Sequence, residues 1–155
     1  MVKEFKSFYK EVTGNEGDKC HYNVRLDTYG CGCQHDCSYC YAKSLLSFRG
    51  LWNTEEPAVA DVAKIRRRIS KLPKDKIIRL GGMTDCFMPQ EEKHGVTRET
   101  IKALNENGIG YLIVTKSDKE ISVCEDVTEH YVYWKNNVNF NKDDCCNLRC
   151  DGEKK

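Results

Sequence analysis

The sequence predicts an α/β protein built on parallel strands with right-handed helical crossovers, followed by a C-terminal helical tail. Three observations lead there. Short runs of strand-forming residues recur around residues 24, 77 and 111. Between them lie segments whose apolar residues fall at helical spacing. The order strand, helix, strand, helix, strand repeats at roughly the 30 residues that one strand–crossover–strand unit needs.

Residues 23–29 set Val24, Leu26 and Thr28 against polar partners, the alternation of a first strand that runs into a cysteine-rich loop beginning at Gly30. A helix follows through 42–47. The next helix carries Val59, Val62, Ile65 and Ile69 at helical spacing, opened by Thr54 and Pro57 and closed before Pro73. Arg66, Arg67 and Arg68 lie on or beside its solvent face. Ile77-Ile78-Arg79-Leu80 is a short strand ending at Gly81-Gly82. Past the irregular stretch 83–95, Thr97 is placed to cap a helix, with Val96 stapling onto Ile101 and Gly108 ending it. A third strand follows at 111–114. Beyond Lys116-Ser117-Asp118, Val127, Tyr131 and Trp134 return at helical spacing and predict the tail. The chain thus divides into an N-terminal extension, 1–22, an α/β domain, 23–118, and a cysteine-containing tail, 119–155. In parallel sheets function sits at the carboxyl ends of the strands. There the segments 31–40, 81–85 and 116–118 converge on one mouth.

A length of 155 residues fits one compact domain. Lys+Arg 25 against Asp+Glu 24 leaves a formal charge of +1, so no global field argues for nucleic acid, a membrane or an acidic substrate. The N-terminus lacks the apolar stretch of a signal peptide, and no run approaches the roughly 18 apolar residues of a membrane span. The expectation is a soluble, cytoplasmic protein without a membrane partner. In a reducing compartment its ten cysteines read as metal ligands or free thiols before they read as a disulfide framework.

Cys33, Cys37 and Cys40 are separated by three and two residues, gaps that let one tight loop wrap a metal cluster. A cubane has four irons, and three protein thiolates leave the fourth free for an exogenous ligand. A zinc knuckle would need a second, distant pair, so a zinc site or plain free thiols are the competing readings. Cys31 reads as a loop residue beside the cluster in preference to a fourth ligand, and His35 as solvent-facing. His130 reads as packing near Tyr131 and Trp134. Cys124, Cys145, Cys146 and Cys150 offer thiols for a second metal but match no standard spacing.

The pattern CxxxCxΦC, with Tyr39 as the aromatic before the last cysteine, resembles the radical S-adenosylmethionine (SAM) superfamily. Four stretches extend the likeness to its spore photoproduct lyase-like branch, the DNA repair photolyases. They are Thr28-Tyr29-Gly30-Cys31-Gly32-Cys33, Tyr39-Cys40-Tyr41-Ala42, Thr84-Asp85-Cys86-Phe87-Met88-Pro89-Gln90-Glu91 and Val114-Thr115-Lys116-Ser117. The resemblance covers most of 22–117. It implies a partial (β/α) barrel, a [4Fe-4S] cluster held by Cys33, Cys37 and Cys40, and SAM on the open iron. It implies reductive cleavage of SAM to a 5′-deoxyadenosyl radical that abstracts hydrogen from a substrate. It further implies that Tyr39 helps bind SAM and that Tyr41 does so or relays a hydrogen atom. Gly81 and Gly82 would approach the SAM amino group, with Thr84 and Asp85 extending the polar wall. Against these stand plainer readings: aromatic packing for the tyrosines and a satisfied turn for 81–85. Flavodoxin or ferredoxin is the implied electron donor; a nucleic-acid substrate rests on family analogy alone.

Two departures qualify the likeness. Met83 stands where the lyase has the cysteine that returns a hydrogen atom, and a thioether has none to give; Cys86, three residues on, reads as a structural thiol. A partial barrel of six units needs about three quarters of the roughly 250 residues of an eight-unit barrel, and three units are visible here. The sequence reads as a family member lacking the middle of its barrel, with the edge of the third strand open to self-association. Two alternatives to an enzyme follow: a catalytically silent iron–sulfur-binding remnant, or a zinc-binding interaction module.

Overall fold

The computed structural model describes residues 2–14 and 22–117 and, for the backbone alone, 131–135. Its strands are β1 Tyr9–Glu11, β2 Val24–Leu26, β3 Tyr29–Gly30, β4 Ala58–Val59, β5 Ile77–Leu80, β6 Gly110–Thr115 and β7 Tyr131–Lys135. Its helices are α1 Tyr41–Phe48, α2 Val62–Ile69, α3 Gln90–His94 and α4 Val96–Glu106.

Five strands form one sheet in the order β1-β2-β5-β6-β7. β2, β5, β6 and β7 run parallel and follow one another in chain order, while β1 adds antiparallel to β2. A chain that always adds its next parallel strand on the same side carries its right-handed crossovers on one face. That face is apolar for a simple reason of period two. Val24 and Leu26, Ile78 and Leu80, and Tyr111 and Ile113 stand in register across the three strands, all but fully buried. Ile65 and Ile69 of α2 and Ile101 and Leu104 of α4 belong to the same core. Each such side chain contributes about 1.5–3 kcal/mol by leaving water. The alternate positions Arg25, Arg79 and Leu112 share the opposite face, also in register. Among the described residues the sheet is open, with no barrel closed.

The first strand is shorter than the alternation predicts. It ends at Leu26, and Tyr29-Gly30 pairs antiparallel with Ala58-Val59 in a separate ribbon. Val59 is therefore a strand residue, and α2 is opened by Asp61, whose Oδ1 accepts from Lys64 N at 2.9 Å. Thr54 and Pro57 have no capping role because the ribbon comes between them and the helix. Thr97 is not a cap either. It is buried in the first turn of α4, and the capping is done by Glu91 of α3, whose carboxylate accepts from Thr97 N at 2.9 Å and Arg98 N at 3.0 Å. Of the arginine run, Arg66 reaches across to Glu99 and Glu106 of α4 at 2.9 and 3.0 Å, tying the two helices together.

Tyr131 and Trp134, expected on a helix, lie in β7. Tyr131-Val132-Tyr133-Trp134 is a β-branched and aromatic run, and the unpaired backbone of β6 offered it a full ladder. The sheet edge expected to be open is thus paired by the chain's own β7. The remainder of the predicted tail, with Cys124, His130, Cys145, Cys146 and Cys150, lies outside the described residues. Among the described residues no helix is long and apolar enough to cross a membrane.

Candidate metal centre

The cysteine loop leaves β3 through two unusual backbone conformations, Cys31 at φ 57° and Gly32 at φ 151°. Gly32 is pressed against a neighbouring loop segment: a Cβ there would stand 1.6 Å from the carbonyl oxygen of Asn53. Asn53 N in turn donates to Cys31 O at 2.8 Å. Two tight turns follow, closed by Asp36 N to Cys33 O and Cys40 N to Cys37 O, both at 3.2 Å, and Cys40 is the N-cap of α1. Cys33, Cys37 and Cys40 are brought onto one loop as free thiols, Cys33 buried and the other two half-buried. Among the described residues no three Cys, His, Asp or Glu side chains converge as a single ion would need.

Two of the three sulfurs face hydrogen-bond donors. Burial pushes the Cys33 thiol up, against which the backbone N–H groups of Asp85 and His35 favour its thiolate. Lys116, just past the end of β6, places its Nζ 3.5 Å from Cys37 Sγ and 4.5 Å from the centroid of the Tyr39 ring. Burial alone would lower the Lys116 ammonium; its interactions with Cys37 and Tyr39 outweigh this and the net direction is up. Such donors suit a group that is held by thiolates and carries their charge.

The facing rim is the turn after β5. Gly81 holds φ 84°, with Val114 O only 2.6 Å from where a Cβ would lie. Asp27, just past β2 and buried, accepts from Gly82 N at 2.8 Å and Met83 N at 3.1 Å and pairs with Arg25 Nε at 2.9 Å. Burial nevertheless dominates and raises the Asp27 carboxyl, against the opposing pull of Arg25 and the two amides. Thr84 donates its hydroxyl to Tyr29 O at 2.8 Å. Asp85 Oδ1 accepts from Phe87 N at 2.8 Å and Thr115 Oγ1 at 2.7 Å, and its Oδ2 accepts from Lys116 N at 2.6 Å. His35 Nε2 stands 3.4 Å from the same Oδ2. His35 thus turns inward to Asp85, not outward to solvent, because the tight turn closed by Asp36 N to Cys33 O points it into the mouth and buries its Nε2.

Tyr41 joins the rims: its hydroxyl donates to Gly82 O at 2.7 Å. Sequence reasoning located the thiols, the two tyrosines and the 81–85 turn, and the structure brings them to one mouth. It missed Asp27, which the strand alternation treats as one more polar partner, and the use of Lys116 and His35; position at a strand's carboxyl end was the available signal for all three. Cys86 is fully buried in the core, where burial raises its thiol well above the ordinary value. Around α1, Tyr39, Tyr41, Leu45, Phe48 and Leu51 are exposed, so the thiol-bearing rim is also the apolar one. Comparison with known proteins adds no relative: no family model, no curated protein and no solved structure matches the chain.

Proposed function

We propose that the chain is a radical SAM protein whose four parallel strands form part of a (β/α) barrel of that type. In this reading Cys33, Cys37 and Cys40 hold a [4Fe-4S] cluster and SAM occupies the open iron. The observation that carries the reading is the placing of three free thiols, on one loop, at the carboxyl ends of parallel strands. Bound there, the cluster supplies one-electron reduction of SAM toward a hydrogen-abstracting radical, fed by a flavodoxin or ferredoxin. The chain's own residues do the rest. Backbone amides of Asp85 and His35 oppose the burial that raises the Cys33 thiol, and the Lys116 ammonium stands 3.5 Å from Cys37 Sγ. Tyr41 fixes the Gly82 carbonyl, and the Tyr39 ring stands at the rim beside Lys116. Each thiolate of a cubane binds its own iron, so the three need not converge on a point.

A second reading is favoured by one observation: the polar groups of the facing rim are already engaged. Gly82 N is taken by Asp27, the Thr84 hydroxyl by Tyr29 O, and both Asp85 oxygens by protein donors. A protein that binds the cluster without turning SAM over would look the same at that rim. The test is anaerobic reconstitution with iron and sulfide, EPR of the dithionite-reduced protein with and without SAM, and assay of 5′-deoxyadenosine. The enzyme reading expects a [4Fe-4S] signal that SAM perturbs and product that Cys37→Ala abolishes. A cluster indifferent to SAM selects the second reading, and failure to take up iron rejects both.

A further inference from the structure

Between α2 and the segment that leads into β1 lies a groove of about 310 Å3 lined by Lys6, Phe8, Tyr9, Lys64, Arg67, Arg68 and Lys71. Its cations come from two segments far apart in sequence. Lys64, Arg67, Arg68 and Lys71 follow one another at intervals of three, one and three residues, a single stripe down α2 and the turn that continues it. Lys6 faces them from the other segment. Of the five, Lys64 is neutralised by Glu4. Among the described residues no carboxylate pairs with Lys6, Arg67, Arg68 or Lys71. Arg68 instead lies over the Tyr9 ring, 4.0 Å from its centroid, which fixes the guanidinium in the groove without cancelling its charge. In a chain of net charge +1, four uncompensated cations on one groove are a marked local excess.

We infer that this groove is a binding site for a compact, multiply charged phosphate anion, free polyphosphate or the polyphosphate group of a nucleotide. Compactness follows from the flanks. Glu4 precedes the 6–9 segment and Glu11 follows it, and they neutralise Lys64 and Lys76, so neither lysine extends the uncompensated charge beyond the groove for a long polyanion to follow. A short anion engages Lys6, Arg67, Arg68 and Lys71 and stops. Guanidinium forks match phosphate oxygens in pairs, and ammonium groups add point charge.

Titration calorimetry on the full chain, with tripolyphosphate, ATP and a 12-nucleotide single strand as probes, tests the inference. Tripolyphosphate is expected to bind at low salt and to weaken severalfold as ionic strength rises and the Debye length shortens. Arg67 and Lys71 are both exposed, so R67A/K71A keeps the fold and is expected to lower affinity at least tenfold. Arg66→Ala is the control from the same run, since Arg66 is committed to α4, and leaves binding unchanged. ATP binding more tightly than tripolyphosphate assigns the site to a nucleotide; equal affinity assigns it to the phosphates alone. The inference is overturned if neither binds, if Arg66→Ala loses as much as the double variant, or if the oligonucleotide binds more tightly than ATP.

Discussion

The two rims of the mouth are built on opposite principles. The rim after β5 is closed on itself: Asp27 and Asp85 take up the amides of Gly82, Met83, Phe87 and Lys116, and Thr84 and Tyr41 complete the network. The cysteine rim is held by backbone turns, the Gly32 contact and a few side-chain links, Gln34 to Gln90 and His35 to Asp85 among them, and presents thiols and exposed apolar side chains. A buried polar group with all its partners in the protein is part of the framework. A group left with capacity to spare is where a ligand can bind. The difference predicts that loss of a thiol changes ligand uptake more than stability, and loss of the facing network the reverse.

The largest effect belongs to Asp27. Asp27→Ala leaves two amides without an acceptor and Arg25 unpaired opposite Arg79, with which it is in register. Removing one partner of a buried pair costs about 3–5 kcal/mol, read as a shift of the urea midpoint at neutral pH. A loss under about 1 kcal/mol would show the rim to be held elsewhere. The pH dependence carries its own sign. Burial raises the folded-state pKa of Asp27, so the folded chain binds the proton more tightly than the unfolded one. Glu91, also raised by burial despite its Tyr29, Thr97 and Arg98 donors, acts the same way. Their stability contribution is full below the ordinary carboxyl values, about 4, and is lost as pH rises through the folded values. The urea midpoint should fall over that interval, and Asp27→Asn should flatten the fall; a midpoint that climbs contradicts the assignment.

Gly32 carries the next effect, on the open rim. At its φ of 151° a methyl group would come within 1.6 Å of Asn53 O, so Gly32→Ala must move backbone. The cost is about 2–3 kcal/mol, and iron uptake on reconstitution should fall with it, because the displaced segment carries Cys31 and Cys33. Stability lost with full iron uptake would show that the loop reforms around its ligand.

What is legible in the sequence follows the same division. The period-two rows of β2, β5 and β6 and the helical spacing of Ile65, Ile69 and Ile101 are local signals, and the core they form is the one observed. The cysteine spacing is local too. The links between distant segments are not: Asp27 to Gly82, Asp85 to Lys116 and Arg66 to Glu99 join residues 55, 31 and 33 apart, and no pattern within either segment announces them. Helical spacing draws Val59 into the α2 pattern because a two-residue strand is too short to show a period. A spacing of three likewise draws Tyr131 and Trp134 into a helix, whereas the β-forming run containing them carries the decisive information.

The smallest effect is the sharpest test of the comparison. Cys37 is half-buried at the mouth, and its contact is with Lys116, an exposed residue whose ammonium returns to water when the thiol is removed. Cys37→Ala should therefore leave the urea midpoint within about 0.5 kcal/mol of the parent while iron uptake is lost. Cys86→Ser provides the opposite case. That thiol is fully buried in the core, where an unpartnered hydroxyl costs about 1–3 kcal/mol, yet it lies outside the cysteine loop and iron uptake should persist. If Cys37→Ala destabilised the chain as much as Cys86→Ser, the thiol-bearing rim would be framework after all, and its openness would have no bearing on a ligand.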